Sequence, residues 1–174
     1  MHGTQAGQVR DESHGFSLVE LAVVIAVLSG LLYFLLDRVL YMQEMAEKTE
    51  VEETVRSINY ALRLEAASRM ARGSENGQAL LEKENPVKWL ATQPRNYLGE
   101  HSQAPRGARP AYWFYDPLQH HLIYRPNRSD NLVIEKGKER ELRFVVRTME
   151  GEPSPALEPL SRPIWFGEKV TRNR

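Results

Sequence analysis

Hydrophobic and polar positions divide this chain into successive regimes. From Phe16 to Leu36 the sequence is apolar on every side, and Glu20 is its only charge. About 21 helical residues at 1.5 Å each reach roughly 32 Å, close to the hydrocarbon thickness of a bilayer. From Asp37 onward the pattern becomes one-sided. Val51, Val55, Ile58, Leu62 and Ala66 recur at helical spacing, while Asp37, Arg38, Glu44, Glu47, Lys48, Glu50, Glu52 and Glu53 read as solvated positions. Glu44–Lys48 and Glu52–Arg56 are expected i,i+4 ion pairs. No Pro or Gly interrupts the stretch from Leu31 to Arg72, and Gly73-Ser74-Glu75-Asn76-Gly77 supplies stop residues. The pattern therefore predicts one helix over residues 16–72, about 80 Å long. Its first half belongs in lipid or in a filament core, and its second half packs on a domain.

After the helix, residues 78–83 suit a short helix. Asn85-Pro86 is a helix start, with Asn as the cap and Pro in the first turn. Val87, Trp89 and Leu90 form its expected buried face, and Pro94 its end. Residues 95–110 read as a surface loop pinned at Tyr97 and Leu98. The pattern then changes from helical period to strand-like runs: 111–115, 120–125, 132–135 and 141–147, separated by Asp116-Pro117, by Pro126-Asn127 and by Lys136-Gly137-Lys138. This spacing predicts an antiparallel meander covered by the apolar stripe of the helix. Residues 152–163 are proline-rich and read as irregular, residues 163–166 as an edge strand or docked arm, and residues 171–174 as a frayed end. The fold class is α+β.

Composition narrows the possible chemistry. Basic and acidic residues balance at 23 each, so a nucleic-acid partner is not expected. Cysteine is absent, which removes disulfides, thiolate metal sites and cysteine nucleophiles. His120-His121 is the only histidine cluster, and adjacent residues on a strand face opposite ways, so no metal site is expected. The run Tyr112-Trp113-Phe114-Tyr115 suits sheet core or an interface better than a carbohydrate or nucleic-acid platform. Ser17 and Ser29 are expected to bond back to the preceding helical turn. No catalytic constellation or cofactor motif stands out, so no enzymatic activity is expected.

Glu20 is the anomaly in this pattern. A carboxylate in the apolar layer costs about 2.5–3.5 kcal/mol near its centre and less towards the edge. With no Lys or Arg between Phe16 and Leu36, a partner has to come from elsewhere, or Glu20 sits at the headgroup level of an ordinary anchor. A cut between Gly15 and Phe16 would create an ammonium four residues before Glu20, which a neighbouring copy's Glu20 could neutralise.

The stretch Gly15-Phe16-Ser17-Leu18-Val19-Glu20 resembles the processing motif of type IV pilins and of the pseudopilins of type II secretion. The resemblance runs over residues 15–28 and implies the following organisation. Residues 1–15 are a prepilin leader, less basic here than is usual because Arg10 stands against Asp11 and Glu12. Residues 16–40 are a transmembrane and filament-core segment, and residues 41–174 hold the amphipathic half-helix and a globular pilin-like domain. Cleavage falls at Gly15–Phe16, Phe16 is N-methylated, and Glu20 is the assembly residue. The implied partners are other pilins or pseudopilins, a prepilin peptidase that is also the N-methyltransferase, an inner-membrane assembly platform, and membrane lipid. The implied location is the bacterial inner membrane, with one pass and the domain in the periplasm, followed by a pilus or pseudopilus. An aromatic, arginine-rich domain with a proline-rich tail suits a minor subunit. The alternative is a periplasmic binding or enzymatic domain held by an uncleaved signal anchor.

Overall fold

The computed structural model of the chain describes residues 17–74, 77–134, 141–148, 154–161 and 163–169. The leader, the turn expected at Lys136-Gly137-Lys138 and the end at 171–174 lie outside these residues. The chain divides into two compact units, residues 1–41 and 42–174.

One helix, α1 (Leu18–Ala71), accounts for 54 residues. Its stop is a Schellman motif: Ser74 N–H donates to Arg69 O at 3.1 Å and Gly73 N–H to Met70 O at 3.0 Å. Gly73 makes this possible by adopting φ 71°. In the second unit the helix buries Val51, Ile58, Leu62 and Ala66, with Val55 half-buried beside them, which is the stripe the periodicity predicts. A short helix α2 (Gly77–Leu81) and a 3₁₀ turn (Pro86–Trp89) follow. The turn starts as expected, with Val87 N–H on Asn85 Oδ1 at 3.0 Å, but it ends at Leu90 and does not reach Pro94. Arg69 ties this segment to α1. Its guanidinium donates to Glu65 at 2.8 Å, to Glu84 at 2.8 Å and to Gly77 O at 2.9 Å, and it lies over the Trp89 ring.

The strands are β1 (Tyr97–Glu100), β2 (Tyr112–Asp116), β3 (His121–Arg125), β4 (Leu132–Ile134), β5 (Leu142–Arg147), β6 (Ala156–Pro159), β7 (Pro163–Trp165) and β8 (Glu168–Lys169). They form a five-stranded sheet ordered β1-β2-β3-β5-β6 and a three-stranded sheet ordered β4-β7-β8. All pairings are antiparallel except β1 with β2. Trp113, Tyr115, Leu122, Tyr124, Leu142, Phe144 and Val146 share one core with the α1 stripe. On the other face Tyr112, Phe114 and Ile123 pack with Ala104 and Ala108. The loop before β2 therefore seals the outer face, and the aromatic run is buried along its whole length.

The α+β class holds, but the predicted meander needs correction in its connections. The stretch 95–110 is not all loop: β1 pairs parallel to β2, with Trp113 N–H on Asn96 O at 3.0 Å and His101 N–H on Tyr115 O at 2.8 Å. Tyr97 pins it, its hydroxyl bonded to Asn85 Nδ2 at 2.7 Å, whereas Leu98 is exposed. The proline-rich segment contains β6, whose Leu157 N–H is taken by Asn59 Oδ1 of α1 at 2.7 Å. That bond occupies a donor an edge strand would otherwise leave open. The run 132–134 does not follow β3 in the same sheet. It pairs with β7 instead, and β7 is the middle strand of the small sheet and not an edge.

Side chains read as solvated cause that departure. Glu44 is 1% exposed and Lys48 5%. Glu47 accepts from Tyr124 Oη at 2.8 Å, Asn127 N–H at 2.7 Å and Arg128 N–H at 3.3 Å. Glu44 accepts from Asn131 N–H at 3.0 Å, Asn131 Nδ2 at 2.9 Å and Trp165 Nε1 at 3.0 Å. Two carboxylates one helical turn apart thus hold the chain between β3 and β4 along α1 and steer it out of the first sheet. Lys48 pairs with Glu168 of β8 and with Glu52 at 3.7 Å, not with Glu44. Arg56 pairs with Glu53 at 2.7 Å, not with Glu52. Burial first, then the neighbouring Glu47 carboxylate, holds the Tyr124 phenol well above its ordinary pKa.

Candidate functional site

The features that set this chain apart lie in the first unit. Every residue from Ser17 to Val39 is exposed, including Leu21, Val23, Ile25, Leu28, Leu32 and Phe34. By length and composition α1 is able to cross a membrane. Its apolar part ends in residues suited to a lipid–water boundary: Tyr33 and Phe34 edge to face at 5.9 Å, then Arg38 over the Tyr41 ring at 5.3 Å. Ser29 Oγ bonds to Ile25 O at 2.7 Å, as expected for a serine in an apolar helix.

Glu20 stands in the first turn of α1, exposed, and among the described residues no basic side chain pairs with it. Its partner is local. Ser17 N–H donates to Glu20 Oε2 at 3.0 Å, and Val19 N–H donates to Ser17 Oγ at 3.3 Å. Leu21 N–H reaches Ser17 O at 3.0 Å and closes the first helical turn. This is a variant of the capping box: the Ser17 hydroxyl takes the N–H of the second helical residue, and Glu20, three residues after the serine, takes the N–H of Ser17. The expectation that Ser17 bonds back to a preceding turn is therefore corrected: it caps the helix start. The Ser-x-x-Glu spacing signals this at the level of sequence, but the processing motif overlies the same residues. Gly15 and Phe16, the predicted cleavage and methylation positions, lie outside the described residues.

Two adjacent histidines of the second unit stand at the end of the β2–β3 turn. His120 terminates the β2–β3 turn with φ 56°, and its Nδ1 meets Tyr115 Oη at 3.3 Å. His121 begins β3 opposite Asp116 and Val145. Burial, and then the Arg143 charge, holds the His121 pKa below its ordinary value. Burial pushes the Tyr115 phenol up to about 12. Among the described residues no group of three His, Cys, Asp or Glu is placed to hold a metal ion. Comparison with protein-family models, with curated proteins and with solved structures finds no match to this chain.

Proposed function

We propose that this chain is a structural subunit, of the minor kind, of a type IV pilus or a type II secretion pseudopilus. In this reading a prepilin peptidase cuts after Gly15 and methylates Phe16. The subunit waits in the inner membrane with its domain in the periplasm, and Glu20 pairs with the Phe16 amine of an adjoining subunit during assembly. Other pilins or pseudopilins, the assembly platform and lipid are its partners, and it carries no catalytic activity of its own.

The observation that carries the reading is the uniform exposure of residues 17–39. At about 1.5–3 kcal/mol for each large apolar side chain, hydrating this surface costs on the order of 20 kcal/mol. That exceeds the stability of an ordinary domain, about 5–15 kcal/mol. Such a helix needs lipid, or copies of itself, at every stage of its life. A subunit stored in a bilayer and moved directly into a bundle of identical helices meets that requirement twice, once in each environment.

The test is the intact mass of protein purified from membranes. A processed subunit lacks residues 1–15 and is one methyl group heavier than the remainder. Replacing Gly15 by a bulky residue should leave the full-length form in the membrane. A wild-type protein found only at full length would favour the alternative, a periplasmic binding or enzymatic domain on a static anchor.

A further inference from the structure

The start of an α-helix leaves its first N–H groups without intrahelical acceptors. In water this is a mild defect. In the apolar layer each such group costs several kcal/mol, because no solvent is present to accept the bond. A helix whose lipid-embedded end begins at Leu18 therefore needs acceptors supplied by its own side chains. The capping box supplies two, Ser17 Oγ to Val19 N–H and Glu20 Oε2 to Ser17 N–H.

We propose that Glu20 serves its own subunit before it serves any neighbour: with the Ser17 hydroxyl it seals the embedded helix end, and the main-chain N–H of residue 17 positions the Glu20 carboxylate. The pairing rests on the two hydrogen bonds alone. Its bearing on assembly rests on the filament reading above. The division of labour follows from the geometry. Oε2 is committed to Ser17 N–H, while among the described residues Oε1 has no partner and stays available to a cation from outside the chain. Fixing the carboxylate against its own backbone removes rotamers that point it along the lipid, so a neighbour meets an acceptor already in place. Charge and capping are separable. A glutamine at position 20 keeps a carbonyl oxygen for Ser17 N–H and loses the charge, whereas a valine loses both.

The experiment uses the full chain, as isolated from membranes, in lipid nanodiscs. Amide exchange is read at Ser17, Val19 and Leu21 for wild type, Ser17→Ala, Ser17→Thr, Glu20→Gln and Glu20→Val. Filament-associated over membrane-associated protein is measured for the same set in cells. Glu20→Val should speed exchange at Ser17 about five-fold and Glu20→Gln should not, and Ser17→Ala should do the same at Val19. Ser17→Ala keeps the main-chain N–H that holds the Glu20 carboxylate, so it should be cleaved and incorporated like wild type, and Ser17→Thr, which keeps the hydroxyl, should also keep slow exchange at Val19. Unchanged exchange in both Ser17→Ala and Glu20→Val overturns the capping pair. Faster exchange at position 17 in Ser17→Ala, or a cleaved Ser17→Ala that is not incorporated, overturns positioning by the main-chain N–H. A wild type that is never cleaved or incorporated overturns the filament reading and the positioning role with it, while the exchange data still decide the pair.

Discussion

Trp165 Nε1 donates to Glu44 Oε1 at 3.0 Å across a separation of 121 residues. Both side chains are almost fully buried, at 0% and 1% exposure. The same carboxylate takes both donors of Asn131, so Glu44 is the point where α1, the start of β4 and β7 meet. Replacing Glu44 by Ala leaves these donors without an acceptor in a buried place. The expected loss is about 3 kcal/mol, from the cost of orphaned donors and the lost charge-assisted bonds. Glu44→Gln should lose less, since one oxygen remains. Urea unfolding followed by tryptophan fluorescence measures both, and equal stability of Glu44→Ala and wild type would show that the small sheet docks by packing alone.

Gly77 sits where a side chain does not fit. A Cβ there would lie 2.8 Å from Arg69 Cβ and 3.0 Å from Ser74 Oγ. The nearer contact is the root of the Arg69 side chain, fixed on α1, so it cannot swing aside as a flexible tip would. Gly77→Ala should therefore destabilise by about 1–3 kcal/mol, despite the higher helix propensity of alanine. Arg69→Lys should lose the fork to Glu84 and the contact over Trp89, and it should cost about 1–2 kcal/mol. Thermal melting of the two variants tests this, and a rise in Tm for Gly77→Ala would refute the clash.

The long helix and its apolar stripe were legible because they rest on local periodicity over many turns. Val51, Ile58, Leu62 and Ala66 could be assigned from spacing alone, and Gly73 marked the stop. Glu44, Glu47 and Lys48 were misread for a physical reason. A charged residue at a helix position one turn from the apolar stripe carries the same local signal whether water or a partner distant in the chain satisfies it. For the two carboxylates the chain near Asn127 and Asn131 decides, some eighty residues later in the sequence, and for Lys48 it is Glu168. The same non-locality hid β1 and β6, whose partners override their Gly and Pro punctuation. At the candidate site, Glu20 was conspicuous as the lone charge, but its bond to Ser17 was hidden behind a motif that accounts for the same residues differently.

A fragment of residues 42–174 should be soluble and folded. Every residue of the core, from Val51 to Trp165, lies within it, and of the exposed apolar run that begins at Leu18 only Met42 remains in it. Circular dichroism should show mixed helix and sheet. A nearly pure helical spectrum, or aggregation in the absence of detergent, would contradict the division at Met42.

Stability of that fragment should have two pH limits above the ordinary carboxylate range. His121 has a folded pKa below its ordinary 6.5, through burial first and the Arg143 charge second. A base depressed in this way lends stability above its unfolded pKa and loses it as pH falls through the lower folded value. Tyr115 is the opposite case, raised by burial from 10.0 to about 12. Its contribution is complete below the unfolded value and is lost as pH climbs through the folded one. Tyr97 and Tyr124, also raised, add to the alkaline limb. Glu100, held low by Lys88 and Asn85, and Glu168, held low by Lys48, start to lose theirs only below the ordinary carboxylate value of 4.5. Urea midpoints should thus be level between about pH 7 and 10 and fall on either side. His121→Gln should flatten the fall that begins below the ordinary value of 6.5 while leaving the alkaline limb intact. Tyr115→Phe should reduce the alkaline loss without touching the acid limb. If His121→Gln leaves the drop on the acid side of 6.5 unchanged, another group titrates there and the burial of His121 is not its cause.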